Sequence, residues 1–154
     1  MSRERPADGD TTRGGTGGGM TDGGMTDGGM TDGERHARGM ATRREVLGDA
    51  HVDRAEARKD GFTADFQDMI TRYAWGEIWS RPGLDRRTRS CITLTAMVAG
   101  GHLEELAMHV RAAVRNGLTH EEIKEVLLQT AIYCGVPAAN SAFAVAQRVL
   151  AEQE

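Results

Sequence analysis

Residues 101–111, with the sequence GHLEELAMHVR, combine a helical apolar pattern with three side chains that can transfer protons. Read as an α-helix at about 100° per residue, the segment places His102, Glu105 and His109 on one edge beside an apolar stripe. That stripe consists of Leu103, Leu106, Ala107, Val110 and Val114. The stripe can pack on a core while the polar edge borders a cleft, so this helix is the predicted centre of a reaction site.

Two other interpretations of the polar edge stay open. Histidine and glutamate at these spacings also occur on half-exposed helix edges, where they form weak pairs without a catalytic role. The pattern His-x-x-Glu-x-x-x-His also offers ligands of the kind that hold iron or zinc, although it matches no standard metal motif.

Helix boundaries on both sides of this segment indicate a helical domain. Asp85 is suited to cap a helix that ends at Gly100-Gly101. Thr119 and Glu122 form a capping-box pattern, and Pro137 occupies the first turn of the last helix. Because no segment shows the alternation typical of β-strands, the sequence predicts an all-α fold of about six or seven helices.

A further helix is predicted to begin at Thr63, and its apolar residues at three- and four-residue steps indicate a core helix. Near its end, the segment Trp75-Gly76-Glu77-Ile78-Trp79 places a carboxyl group among large rings. Glu77 and Trp79 are therefore candidates for contacting a substrate. The alternative for Glu77 is an ion pair with a neighbouring arginine.

Three arginines, Arg86, Arg87 and Arg89, stand in the first turn of the helix that Asp85 caps. The helix macrodipole disfavours cations at this position. We interpret them as ligands for carboxylates on a substrate or on a neighbouring subunit, with a solvated basic patch as the alternative.

The first part of the chain differs in composition from the rest. Residues 1–39 are rich in Gly, Thr, Asp and Met, and the unit Gly-Gly-Met-Thr-Asp occurs three times within residues 18–32. Such a segment has little apolar surface to offset the entropy of ordering, which predicts a disordered tail and a folded domain at residues 40–154. Residues 41–57 are expected to form an arm over the main body, with His51 on the surface.

Composition limits the class of protein. The net charge of −4 comes without a basic stripe, which argues against nucleic acid as a partner. Cys91 and Cys134 form no C-x-x-C or metal spacing, and no segment resembles a secretory signal. Because the apolar runs are shorter than the roughly 20 residues of a membrane span, we expect a soluble cytoplasmic protein that binds no membrane.

A series of short motifs follows the predicted helices in order. They are Trp75-Gly76-Glu77-Ile78-Trp79, Arg81-Pro82-Gly83-Leu84-Asp85-Arg86-Arg87-Thr88-Arg89-Ser90, Gly101-His102, His109-Val110-Arg111, Asn116-Gly117 and Tyr133-Cys134-Gly135-Val136-Pro137-Ala138-Ala139. Together they resemble the 4-carboxymuconolactone decarboxylase family over about residue 41 to the C-terminus. The glycine-rich tail lies outside the resemblance.

The resemblance implies the all-α fold of the alkyl hydroperoxidase D-like proteins. Redox members of that fold carry Cys-x-x-Cys-x-x-x-His, where this chain has His102, Glu105 and His109. Ser90 stands where they have a glutamate on the preceding helix. Thiol-disulfide chemistry is therefore not expected.

The activity that the resemblance implies is the cofactor-independent loss of CO₂ from γ-carboxymuconolactone, which gives β-ketoadipate enol-lactone in protocatechuate catabolism. His109 would be the principal acid or electrophile, with Glu105 and His102 beside it. The expected substrate contacts, besides Glu77 and Trp79, are Tyr133 and arginines from the Arg86, Arg87 and Arg89 group or Arg111. A helical wheel turns Arg111 away from the histidines and favours the first group.

The resemblance also implies a homohexamer built as a trimer of dimers. Small residues along the last helix, at Ala138, Ala139, Ser141, Ala142 and Ala146, would allow close approach between subunits. Three alternatives stay open for the function. They are a peroxidase-like redox protein, a non-redox protein of the same fold acting on another small carboxylate, and a non-catalytic assembly module.

Overall fold

The computed structural model describes residues 29–152, and within this range the chain is all-α, with seven α-helices and no β-strand. The predicted fold class is confirmed. The helices are α1 (Asp32–Leu47), α2 (Asp49–Ala57), α3 (Ala64–Ile70), α4 (Arg86–Gly100), α5 (Leu103–Arg115), α6 (His120–Tyr133) and α7 (Val136–Ala151). A π-helical segment, Thr71–Trp79, continues α3 without a break.

Helices α4 to α7 form the main hydrophobic core. Leu94, Leu106, Val110, Leu127 and Val149 are almost completely buried in it. The predicted starts of these helices are confirmed, because the Asp85 carboxylate accepts a hydrogen bond from the Thr88 amide, and Thr119 forms a capping box with Glu122. This core holds one face of α5 in place.

A second, smaller cluster lies against another face of α5. Val46 of α1, Trp75 of the π-helical segment and Ala112 of α5 are buried together, with Trp79 packed against them. Ala112 follows His109 by three residues, so the two side chains lie on the same face of α5. The face that carries His109 is therefore the one that meets this cluster. The helix α5 therefore separates two apolar clusters, and His109 lies on the side of the smaller one.

Two glycines allow α1 and the π-helical segment to approach closely. A Cβ atom at Gly39 would overlap the carbonyl oxygen of Thr71 and lie 2.9 Å from its carbonyl carbon. A Cβ atom at Gly76 would lie 2.5 Å from the carbonyl oxygen of Arg35. The backbones of the two helices thus meet where a larger residue would collide.

The carbonyl oxygen of Gly76 joins the π-helical segment to its surroundings. The Arg38 guanidinium donates hydrogen bonds to this oxygen, one of them from Nε at 2.9 Å, and the Ser80 hydroxyl donates another at 2.7 Å. These contacts fix the turn that carries Trp75 and Trp79. A π-helix is rare, and such segments are frequent at functional sites.

The folded part begins earlier than the sequence indicated. Thr31 caps α1 through a capping box with Glu34, and Arg35 and Gly39 are buried. The predicted boundary between residues 39 and 40 therefore falls inside α1. The glycine-rich composition concealed a helix start that the capping box supplies. The disorder predicted for residues 1–28 lies outside the described residues.

One expectation about the neighbouring segments is corrected. The helix α3 was predicted to lie in the core, but it buries none of its residues, and Phe66 and Met69 are about half exposed. The arm at residues 41–57 lies over the main body as expected, because Val46 and Val52 are fully buried. In addition, no helix of residues 29–152 is both long and apolar enough to cross a membrane.

Candidate functional site

His109 lies on α5 next to a pair of stacked tryptophan rings. The Trp79 ring is nearly parallel to the imidazole, with a centroid separation of 6.4 Å and an interplanar angle of 7°. Trp75 stacks on the other indole at 5.3 Å. Trp75 is buried, whereas Trp79 and His109 are partly exposed. The two stacked indoles therefore form an apolar surface beside the imidazole.

Burial strongly perturbs the protonation of His109. Removal of water from the imidazole lowers its pKa from the usual 6.5 to about 4, and the positive charge of His51 acts in the same direction. The negative charge of Glu105 opposes this change but is the weakest of the three influences. At neutral pH the folded protein therefore holds His109 as a neutral imidazole, which can donate a hydrogen bond without carrying a charge.

The lowered pKa of His109 predicts a loss of stability in acid. Between pH 6.5 and about 4 the imidazole is protonated in the unfolded chain but neutral in the folded protein. The unfolded state then binds the additional proton, so the free energy of unfolding falls as the pH drops through this window. His109 alone should contribute up to roughly 3 kcal/mol to this fall.

Urea unfolding at pH 7 and pH 4.5 checks this expectation. We expect the free energy of unfolding to fall less steeply in His109→Gln than in the wild type. The control variant His120→Gln changes an exposed histidine at the start of α6 and should follow the wild type. Equal slopes for wild type and His109→Gln would show that His109 is not desolvated.

The other two members of the predicted edge are Glu105 and His102. Glu105 precedes His109 by one helical turn and influences it through its charge, but no hydrogen bond or ion pair joins them within the described part of the chain. His102 stands before the first turn of α5, and its ring lies against Gly100. The edge thus brings Glu105 towards His109, whereas His102 lies at the end of the helix.

One alternative interpretation of the polar edge was a metal site. Among residues 29–152, no group of three or more His, Cys, Asp or Glu side chains is arranged to hold a metal ion.

The three arginines at the start of α4 have partners within the chain. Arg86 pairs with Glu45, and Arg87 pairs with Glu122 and also donates to the Gly117 carbonyl. These ion pairs explain why cations are tolerated at a helix N-terminus. Arg89 donates to the Arg81 carbonyl at 3.1 Å, while its Nε is buried without a hydrogen-bond partner.

Arg111 of α5 pairs with Glu152 at 2.6 Å, and its charge also lowers the pKa of His51. The helical wheel had turned Arg111 away from the site. Arg111 thus influences a residue, His51, that in turn influences His109, which the wheel did not indicate.

The two remaining predicted contacts are Glu77 and Tyr133. Glu77 forms an ion pair with Arg35, the alternative that the sequence left open. Tyr133 is 82% exposed and lines a groove of about 450 Å³ between α4 and α6, together with Cys91 and Ile92. Burial raises the pKa of the Cys91 thiol, which makes it less reactive.

Sequence reasoning missed His51, which was expected on the surface. It is half-buried, and burial together with the charges of Arg43, Arg54, Arg111 and Arg58 lowers its pKa. The spacing of His51 and Arg54 by three residues was the available signal, since it places both on one face of α2. The residues of α2 gave no indication that this face lies towards α5.

Comparisons with known proteins identify the family of the chain. The pattern of the carboxymuconolactone decarboxylase family matches residues 64–148. A 4-carboxymuconolactone decarboxylase of Acinetobacter baylyi is 47% identical over 116 residues, which cover 75% of this chain and 87% of the relative. A nitrosuccinic acid decarboxylase of Metarhizium robertsii is 41% identical over 112 residues, which cover 73% of this chain and 78% of the relative. A 4-carboxymuconolactone decarboxylase of Pseudomonas putida is 52% identical over 44 residues, which cover 29% of this chain and 92% of the relative.

Proposed function

Because the chain belongs to the carboxymuconolactone decarboxylase family, we propose that it converts 4-carboxymuconolactone (γ-carboxymuconolactone) to β-ketoadipate enol-lactone and CO₂. The observation that carries this proposal is the 47% identity to the Acinetobacter baylyi enzyme over three quarters of the chain. The reaction belongs to the degradation of protocatechuate, and the proposed enzyme is a cofactor-independent carboxy-lyase.

The substrate itself can accept the electrons that decarboxylation releases. When the bond to the departing carboxylate breaks, its electron pair moves through the ring double bond to the lactone carbonyl oxygen. The resulting enolate then takes up one proton on carbon, and CO₂ leaves. The protein must orient the substrate, stabilise the negative charge on the lactone oxygen and return the proton.

We assign the stabilisation of the negative charge on the lactone oxygen to His109. A neutral imidazole N–H donates a hydrogen bond to an oxygen that becomes negative, and it does not need to be protonated at the start of the reaction. The lowered pKa of His109 supports this electrophilic role. Glu105 and His102 are proposed to complete the polar edge, and one of the three side chains returns the proton to carbon.

We propose that Trp79 forms the wall of the site next to the departing carboxylate. Its ring lies parallel to the His109 imidazole and offers an apolar surface. An apolar surface destabilises the charged carboxylate of the bound substrate. It destabilises the transition state less, because there the charge has already spread away from the departing CO₂. Tyr133 and Glu77 remain candidate substrate contacts, although Glu77 is engaged by Arg35.

Arginines are proposed to bind the substrate carboxylates, and Arg111 is now the preferred member of the set. Arg111 is paired with Glu152, just as Arg86 and Arg87 are paired with Glu45 and Glu122. What distinguishes Arg111 is that its charge acts on His51. Arg89 keeps a buried Nε without a hydrogen-bond partner and stays a candidate.

We expect Arg111→Gln to raise KM for 4-carboxymuconolactone by about tenfold, because a charge-assisted hydrogen bond to a carboxylate is lost. The matched control is Arg87→Gln, which also removes a guanidinium paired with an acid but one that is not among the charges acting on His51, so it should leave KM unchanged. Steady-state kinetics on both variants provides the measurement. A larger increase in KM for Arg87→Gln than for Arg111→Gln would reverse the assignment.

We also propose that the protein is a homohexamer built as a trimer of dimers, located in the cytoplasm. Exposed apolar residues support association, since Phe62, Ile132, Tyr133 and Val136 are each at least 70% exposed. The small residues of α7 do not support it, because Ala139, Ala142 and Ala146 are buried in the core of the same chain. Sedimentation should give six times the chain mass of 16.7 kDa.

The direct test of the function is to supply the purified protein with 4-carboxymuconolactone and to follow lactone absorbance and CO₂ release. Nitrosuccinate should be supplied in parallel, because one relative is named for that acid. We expect a higher kcat/KM for the lactone. Turnover of nitrosuccinate alone would instead support the alternative of another small carboxylate, and no turnover of either would support the assembly module.

A further inference from the structure

The helix α2 carries Arg54 and is followed by Arg58, and the acidic side chains of this helix do not pair with either arginine. Each of its acidic side chains is bound by a cation from elsewhere. Arg44 pairs with Asp49 at 3.1 Å and with Asp53 at 2.8 Å. The third acid, Glu56, is bound by Arg43 at 3.3 Å and by Lys59 at 3.0 Å. The basic side chains of α2 therefore lack acidic neighbours on their own helix.

Those basic side chains share one face of α2. His51 and Arg54 are three residues apart, and Arg58 follows four residues later at the end of the helix. Within residues 29–152, neither Arg54 nor Arg58 forms an ion pair or a side-chain hydrogen bond. Both are exposed, so their guanidinium groups are accessible to a ligand.

The start of α2 lies beside α5, the helix that carries His109. Val52, next to His51, is fully buried, and the Arg115 side chain of α5 lies over Gly48 at the start of α2. The charges of Arg54, Arg58 and Arg111 all act on His51, and the charge of His51 acts on His109. A ligand beside the His109 imidazole would therefore meet the basic face of α2.

We infer that His51 and Arg54 bind the carboxylate that the substrate retains, the one on its acetate arm. This inference rests on the proposed function for the identity of the ligand. An enzyme gains nothing by binding the departing carboxylate tightly, since that interaction disappears as CO₂ forms. The retained carboxylate keeps its charge throughout, so guanidinium and imidazole N–H donors hold the lactone in place without opposing the reaction.

A binding experiment that does not depend on turnover tests the inference. The probe is 2,5-dihydro-5-oxofuran-2-acetate, which is the proposed substrate with hydrogen in place of the departing carboxylate and therefore cannot lose CO₂ there. Binding is measured by calorimetry and by the change in fluorescence of Trp79, which stacks on His109. We expect Arg54→Gln and His51→Gln each to weaken binding by about tenfold.

Three further variants and measurements sharpen the test. Arg54→Lys keeps the charge but not the bidentate geometry, so its affinity should lie between those of the wild type and Arg54→Gln. The control Arg148→Gln removes an exposed arginine of α7 and should bind like the wild type. With 4-carboxymuconolactone, Arg54→Gln should raise KM by a similar factor while kcat changes much less.

The outcomes separate this inference from the proposed function. If the probe binds in a manner that depends on Arg54 and His51, but the lactone is not converted, the carboxylate site stands and the decarboxylase proposal fails. If Arg54→Gln and His51→Gln both bind the probe as the wild type does, the inference is wrong whatever the turnover. It is also wrong if the wild type binds no probe. Because Arg54 is exposed, Arg54→Gln should fold even if His51→Gln does not.

Discussion

His109→Ala should lower kcat for 4-carboxymuconolactone by about 100-fold or more, the contribution that a positioned acid or hydrogen-bond donor typically makes. The substitution removes the N–H group that is proposed to stabilise the developing negative charge, and it leaves the Trp79 ring stacked on Trp75 alone. Since binding of the carboxylates is assigned to other residues, KM should change less than kcat. Steady-state kinetics and circular dichroism on the purified variant provide the measurement.

Two control variants belong with His109→Ala. His120→Ala removes an exposed histidine from another helix and should keep full activity. His109→Gln retains an N–H donor of similar reach, so it should recover part of the activity if hydrogen bonding to the lactone oxygen is the main role. Near-full kcat in a folded His109→Ala protein would remove His109 from the mechanism.

The second large effect is expected from Gly39→Ala. The added methyl group would overlap the Thr71 carbonyl oxygen, and the atoms it meets belong to the backbone, which cannot rotate away as a side chain can. The helix α1 would have to move away from the π-helical segment and disturb the packing of Val46 against Trp75. We expect the free energy of unfolding to fall by about 3 kcal/mol or more.

Gly33→Ala is a matched control on the same helix. A Cβ atom at Gly33 meets nothing within 4 Å, so the substitution should change the free energy of unfolding by no more than about 1 kcal/mol. Denaturant unfolding of both variants gives the comparison. If Gly39→Ala were as stable as Gly33→Ala, the close contact between α1 and the π-helical segment would be wrong.

Much of the fold could be predicted because its signals are local. The carboxylate of Asp85, the capping box of Thr119 and the proline at 137 each mark a helix start through interactions within one turn, and all three are present in the structure. The stripe around Leu106 and Val110 was identified for the same reason, since helical period and burial agree there.

The features that were missed depend on contacts between distant segments. A period of three to four residues does not distinguish an α-helix from the π-helical segment at 71–79, and it cannot reveal that Phe66 and Met69 of α3 remain exposed. His51 was missed because its importance arises from the position of α2 beside α5. The edge of α5 was identified around His109, but His51, Arg54 and Arg58 on the neighbouring helix are more than 50 positions away in the sequence.

The capping box at Thr31 sets the residue at which α1 begins, whatever the number of repeat units before it. After the threonines of the first two units, the residue three positions later is Gly24 or Gly29, which has no side chain to return a hydrogen bond. After Thr31 it is Glu34, and the pairing closes within four residues. Replication slippage that adds or removes whole units upstream would therefore change the length of the preceding segment and leave the pairing of this threonine with Glu34 in register.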